Sequence, residues 1–362
     1  MKIALIGPRM FPPISPGVSG IDTRAAFLLS KLSRDKTNLV YVLVRSWVKQ
    51  KVNTENIHII TTPTIHNIYF DTPIYSFIAS IVSIFLPVDI ILYEGTSSTL
   101  FCFIPRLFGK KIITTIHSVE WQRKKWQGLG AVTLRLSERM AIFFSHSIVA
   151  VSREIQIYTD RQYNIHSFLI SHFFQFKTKP LSQIIKQKYE LNTEQYILFL
   201  GRFVPEKRVE WLIKAFIKIN PSQKLILAGD ISRPDNYTKK ILQLDRKNNT
   251  IVFVGHVFGK EKEELLANCF LFVLPSELEG VSMSFLEALS YNRRALVADL
   301  PQHQAIIKQK TCLFKWNDYE DFYNKLKHLL SCKEKPPHVN KNELLSPHDF
   351  IKKYVELMSQ IA

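Results

Sequence analysis

The sequence predicts an α/β protein built from two doubly wound domains facing across a cleft, and three observations carry that expectation. Apolar, β-branched runs recur between helical patterns along the whole chain, as parallel sheets covered on both faces require. The series lapses once, near Phe176 to Ser182, where Pro180 opens a basic, polar stretch. Finally, 362 residues at 46% hydrophobic content are too many for one compact core and apolar enough for two.

The first run, KIALIG, reads as a buried strand, because one Lys and a few apolar residues before Gly7-Pro8 fall short of a signal peptide's apolar region. VYVLV and IHIIT follow as strands. FIASIVSIF, Phe77 to Phe85, reads as a buried helix, since Pro87 and Asp89 cut the apolar run below the ~20 residues of a membrane span. DIILYE, KIITTIH and SIVAVS complete the first series; YILFLG, KLILAG, TIVFVG, FLFVLP and RALVAD make the second. Ser346-Pro347 signals a helix start, and Phe350, Ile351, Tyr354, Val355 and Met358 follow at helical spacing. The domains expected are 1–177 and 178–345, with 346–362 a terminal helix able to pack back on the first.

The formal net charge is +17. It is spread: 19 Lys+Arg against 10 Asp+Glu up to Phe176, and 29 against 21 beyond. Such an excess favours phosphate-bearing partners. No zinc-finger spacing, aromatic RNA-binding signature or basic arm points to nucleic acid. Cys102, Cys269, Cys312 and Cys332 stand apart, without metal-ligand or redox spacing, so the expected setting is reducing cytoplasm. RLFGKK and QRKK beside apolar TLFCFIP suit peripheral contact with an anionic inner leaflet, or simply the solvated ends of a packed helix.

Two stretches carry chemistry. After YILFLG, Arg202 adjoins Gly201 and Lys207 lies five residues on. A forked guanidinium and a point ammonium at a strand's carboxyl end suit a diphosphate; a solvated basic turn is the alternative. In PSELEGVSMSFLEALS, Gly280 permits close backbone approach, and a helix starting near Val281 or Ser282 offers unpaired N–H groups to a phosphate. Glu279 precedes that helix and Glu287 lies within it, ~12 Å apart or less at ~1.5 Å per residue. Carboxylates accept hydrogen bonds from hydroxyls, so one suits a sugar and the other a ribose. An acidic helix start or a salt bridge explains them too.

Taken together, GRFVPEKRVEWLIKAF, KLILAGD, IVFVGHV and PSELEGVSMSFLEALS resemble, in order and spacing, the retaining glycosyltransferases of the GT-B fold, family 4. The resemblance implies two Rossmann-like domains, the first binding acceptor and the second a nucleotide diphosphate sugar. It implies that Arg202 and Lys207 bind the donor diphosphate, Glu279 the donor sugar and Glu287 the ribose. Backbone contacts are implied from Gly280, Val281, Ser282 and Met283. GPRMFPPISPGVSG matches the loop that such enzymes lay over donor phosphates and acceptor; Gly17-Val18-Ser19-Gly20 replaces the usual paired glycines, so for Gly17 and Gly20 a structural turn is an equal reading. His117 ends a strand where the family carries a histidine near the transferring sugar. The implied catalytic set is thus His117, Glu279, Arg202 and Lys207.

VEWQRKKW and LRLSERMAIFFSHSIVAVSREIQIY are similar to a subgroup with rhamnosyl- and related transferases of bacterial surface polysaccharides. One departure leaves the sugar open: Gln302, His303, Gln304 and Ala305 stand where the family has small residues and then an acid. The function implied is metal-independent transfer to a glycan or lipid-linked glycan hydroxyl, with no cofactor beyond the donor; the chain has no Asp-x-Asp to hold a divalent ion. A nucleotide-sugar epimerase of the same fold, and a basic nucleic-acid or anionic-lipid binding module, are the competing readings.

Overall fold

The structure is a computed structural model and describes residues 1–11, 20–48, 56–67, 69–122, 126–231, 234–244, 250–332 and 334–361. It divides into two compact units, Met1–Phe173 with Leu345–Ala362, and Phe174–Leu344.

In the first unit, β1 (Lys2–Ile6), β2 (Leu39–Arg45), β3 (Ile57–Thr62), β4 (Ile90–Glu94), β5 (Lys111–Ile116), β6 (Ser147–Ala150) and β7 (Phe168–Leu169) form one sheet in the order β3-β2-β1-β4-β5-β6-β7. Every pairing is parallel. Side chains alternate between faces along a strand, and β1 divides accordingly. Ile3 and Leu5 join a core with Phe350, Tyr354, Leu357 and Met358 of the helix Pro347–Ile361. Ala4 and Ile6 join the opposite core with Tyr75 and Ala79 of the helix Asp71–Phe85. The terminal helix is therefore a wall of the first unit. Its first turn is closed by the Ser346 hydroxyl, which accepts from the Asp349 amide at 3.0 Å.

The second unit repeats the plan with β8 (Tyr196–Leu200), β9 (Lys224–Ala228), β10 (Ile251–Gly255), β11 (Leu271–Leu274), β12 (Ala295–Ala298) and β13 (Leu313–Phe314), ordered β10-β9-β8-β11-β12-β13 and again parallel throughout. These are the two Rossmann-like domains that the sequence predicts. β7 and β13 are additions to the strands read from sequence, because two residues show no periodicity.

Strand order reverses at β1/β4 in one sheet and at β8/β11 in the other. Loops leaving the carboxyl ends at such a point diverge and open a crevice, where ligands of this fold class collect. Glycine makes the first crevice possible. Gly7 has φ +124°, and a Cβ there would lie 2.4 Å from the Glu94 carbonyl oxygen, so the backbone after β1 passes directly over the end of β4.

Candidate functional site

In the second unit, the loops after β8 and β11 are tied together. The Glu277 amide donates to the Glu206 carbonyl at 2.7 Å, and Arg208 pairs with the Glu277 carboxylate at 3.1 Å. Between these ties lies the ion pair of Lys207 Nζ with Glu279 Oε1, both side chains largely buried. The Ser276 hydroxyl donates to the same Glu279 oxygen at 2.9 Å, and Gln302 Nε2 donates to the Glu279 carbonyl at 2.5 Å. Arg202 stands exposed on the same loop as Lys207. An ammonium has three donors, so Lys207 can hold Glu279 and an incoming anion together.

The helix Met283–Ser290 starts beside this pair. No side chain caps it: Ser282, at the N-cap, turns its hydroxyl to that of Ser284 at 3.1 Å. Its first-turn N–H groups, with the positive end of the helix dipole, form a ready anion site. One turn further, Glu287 Oε1 receives Lys262 Nζ at 2.7 Å, while Glu287 Oε2 is buried without a hydrogen-bond partner. Burying an unsatisfied carboxylate oxygen is costly, so the fold holds an acceptor that a ligand hydroxyl would satisfy. Glu287 and Lys262 line a pocket of about 90 Å³ with Lys177, Glu263 and Tyr291.

His303, in the helix Pro301–Ile306, is wholly buried. Its Nδ1 lies 2.8 Å from the Ala298 carbonyl, so this nitrogen carries the proton, and Nε2 has no partner. Burial, assisted by the nearby charge of Lys207, holds the imidazole down at about 4. The folded state refuses a proton that the unfolded chain takes up below pH ~6.5, so stability is full above that pH and falls as pH drops toward 4. We expect this group to cost about 2 kcal/mol at pH 5. Urea unfolding of the parent and of His303→Gln at pH 7 and pH 5 checks it: the variant should lose visibly less on acidification, and an equal loss would clear His303 of the effect.

The first unit has its own polar cluster at the carboxyl ends of β4 and β5. Glu94, fully buried, lies 2.7 Å from His117 Nε2 and 3.6 Å from Arg24 Nη1, and the Thr115 hydroxyl reaches it at 3.3 Å. Arg24 also donates to the Tyr354 hydroxyl at 2.8 Å and to the Ile170 carbonyl at 3.0 Å. His172 is buried beside them; burial first, then Arg24 and His117, holds its imidazole well below the usual value. Glu94 thus fixes His117 through Nε2 and leaves Nδ1 for another group.

Of the residues singled out from sequence, the structure joins Lys207 to Glu279 directly and sets Gly280 to Met283 at the helix start between Glu279 and Glu287. His117 lies in the other unit. Gly20 is the first residue of the helix Gly20–Leu32 rather than part of an irregular loop, and Gly17 falls outside the described residues. Sequence reasoning missed Ser276, Lys262, Glu94, Arg24 and Tyr354, and did not connect Gln302 to Glu279. Glu94 left a signal, a carboxylate closing an apolar strand; Lys262, in KEKEELL, reads as a solvated face. Among the described residues, one group with metal-ligand potential is present, His328, Cys332 and Glu334, with ligand atoms within 4.8 Å of one another; it shares no residue with either cluster.

The family model for "Glycosyl transferases group 1" matches residues 182–344. Over 110 residues the chain is 28% identical to the O-antigen chain mannosyltransferase B of Escherichia coli, an overlap of 29% of each protein. The chain spans between 29% and 54% of the length of the first curated relatives it matches. Its fold superposes on sucrose-phosphate synthase from Thermosynechococcus elongatus with TM-score 0.83 at 17% identity, covering 99% of this chain and 98% of that one. Anabaena HepE, in complex with UDP-glucose, matches with TM-score 0.75 at 15% identity, over 99% of this chain and all of its own. At such identities the likeness is one of fold.

Proposed function

We propose that this chain, which carries a glycosyl transferases group 1 domain over residues 182–344, transfers a sugar from a nucleotide diphosphate sugar to a hydroxyl of a glycan or lipid-linked glycan. The observation that carries the reading is the tied pair of loops after β8 and β11, with Lys207 held against Glu279 beside an uncapped helix start. Relatives named for O-antigen chain synthesis support a role in surface polysaccharide assembly. HepE, a neighbour in fold, is described with UDP-glucose.

In this reading the acceptor hydroxyl oxygen bonds to the sugar's anomeric carbon as the bond from that carbon to the diphosphate oxygen breaks; the electron pair of the broken bond leaves with the diphosphate, which takes up the acceptor's proton. Arg202, Lys207 and the amides from Gly280 to Met283 stabilise that growing charge. Glu279 accepts from donor-sugar hydroxyls, with Gln302 and Ser276 fixing its position, and the free oxygen of Glu287 accepts from the ribose. His117, oriented by Glu94, is assigned to the reacting sugar. The resemblance to family 4 supports retention of configuration. Protein cations do the neutralising, so transfer is expected to continue in EDTA. The setting proposed is the cytoplasm, at the inner face of a membrane.

A thermal-shift screen of nucleotide sugars tests this, because a ligand at 100 times its Kd adds about 2.7 kcal/mol of apparent stability. With the donor identified, Glu287→Ala should weaken binding of the free nucleotide by about tenfold or more. Unchanged nucleotide affinity in titration calorimetry would remove the ribose assignment, and the absence of any hit would remove the donor site.

A further inference from the structure

The end of the helix Tyr319–Ser331 gathers three side chains of different chemistry. His328 and Cys332 stand four residues apart, and Cys332 continues the helical turn, its amide donating to the His328 carbonyl at 3.1 Å. Residues at that spacing share one face of a helix. Buried Arg294 closes the turn by donating to the Leu329 carbonyl at 3.2 Å and to the Cys332 carbonyl at 2.7 Å. Glu334, just past the helix, brings its carboxylate back: Oε1 lies 2.9 Å from His328 Nε2, and that nitrogen lies 3.8 Å from Cys332 Sγ. Spacing between cysteines does not show this set, because each member is a different residue type.

The carboxylate is held from behind. Thr311 Oγ1 donates to Glu334 Oε2 at 2.7 Å, and Gln309 Nε2 donates to the same oxygen at 3.1 Å, which leaves Oε1 for His328 and Cys332. Outer partners that orient a ligand in this way are a regular part of metal sites. An imidazole, a thiol and one carboxylate suit zinc, whereas magnesium and calcium take oxygen ligands. Tetrahedral zinc with bonds of about 2.0–2.3 Å sets sulfur and nitrogen about 3.5 Å apart, and nitrogen and oxygen about 3.4 Å apart. Side-chain rotations that move these atoms by about half an ångström therefore complete the geometry. His328 is 54% exposed and Glu334 24%, so an ion has a route in and a fourth position open to water.

We propose that His328, Cys332 and Glu334 bind one Zn²⁺ through Nε2, Sγ and Oε1, and that the ion fastens the segment after the helix to the helix end. A thiolate and a carboxylate match its two charges. The zinc–sulfur bond forms as the thiol proton passes to solvent, and the neutral imidazole keeps its proton on Nδ1. The fastened segment runs on to Val339, which pairs with Ile307, so the clip steadies the last stretch of the second unit. None of these residues belongs to the clusters around Lys207 and Glu94, so zinc binding is independent of sugar transfer.

Titration of the untagged, reduced full chain with Co²⁺ and then Zn²⁺ tests it. We expect one equivalent of Co²⁺ to raise a sulfur-to-cobalt charge-transfer band in the near ultraviolet, and Zn²⁺ to abolish that band by displacement. The band identifies Cys332, since Cys102, Cys269 and Cys312 are buried. Zn²⁺ at 100 times its Kd should raise the melting temperature by about 5 °C or more, while Mg²⁺ leaves it unchanged. Cys332→Ala should remove the band and weaken Zn²⁺ binding by about a hundredfold or more, and His328→Ala and Glu334→Gln by about tenfold or more. Thr311→Val, which only frees the carboxylate to turn, should cost about tenfold. The site is at the surface, so metal-free variants should melt near the metal-free parent, which separates lost ligation from lost folding. Cobalt binding without the band, a band that survives Cys332→Ala, or no thermal shift with Zn²⁺ in large excess would each overturn the proposal.

Discussion

Lys207→Ala is expected to lower transfer turnover by about 10²-fold or more, the range found when one preorganised stabiliser of developing charge is removed. The cation sits where β8 and β11 diverge, already held by Glu279, with both side chains 12% exposed. It therefore needs little rearrangement to meet the leaving diphosphate. A fixed, partly dehydrated charge also acts through a lower effective dielectric than a solvated one. The variant should still fold: Glu279 keeps the Ser276 hydroxyl, and loss of a partly exposed pair costs on the order of 1–3 kcal/mol. Lys207→Arg, which keeps the charge but not the ammonium's compact shape, should recover part of the activity. The split between kinetic constants is informative. A cation acting on the leaving group lowers kcat, whereas one that only holds ground-state phosphate raises KM alone. Parent-level turnover by Lys207→Ala at saturating donor would end the leaving-group assignment.

Why the fold was legible, and the candidate site only in part, follows from the range over which each pattern is written. A parallel strand buried on both faces must be an unbroken apolar run, and β11, Leu-Phe-Val-Leu with every residue buried, is of that kind. Loop chemistry at the switch points is local too, so Gly201-Arg202 and Glu279-Gly280 could be picked out beside their strands. Contacts across the chain leave no such trace. Lys262 reaches Glu287 from a separate helix whose own sequence mixes charges as any solvated surface does. Arg24 and Tyr354 are hydrogen-bonded across 330 residues; one looks like an ordinary helix cation and the other like one more apolar position in a terminal helix. His303, in a stretch read only as a departure from a familiar pattern, is a wholly buried imidazole in the electrostatic reach of Lys207.

The cluster around Glu94 carries the second large effect. Glu94→Ala removes the carboxylate from a site where its own side chain and that of Arg24 are fully buried. Arg24 keeps the Tyr354 hydroxyl and the Ile170 carbonyl, but neither carries charge, and an arginine cannot shed its proton to escape the cost. Deleting one member of a buried pair costs about 3–5 kcal/mol because the survivor is left uncompensated. Urea unfolding followed by circular dichroism should show that loss. Glu94→Gln preserves shape and some hydrogen bonds, so it should fall between parent and alanine variant. His117→Ala separates structure from chemistry: it leaves the Arg24–Glu94 contact in place and removes a side chain that is 8% exposed, so stability should drop by about 1–3 kcal/mol, less than for Glu94→Ala, while transfer falls far more. If Glu94→Ala unfolds at the parent midpoint, Arg24 is adequately held by neutral partners, and Glu94 is present for His117 alone.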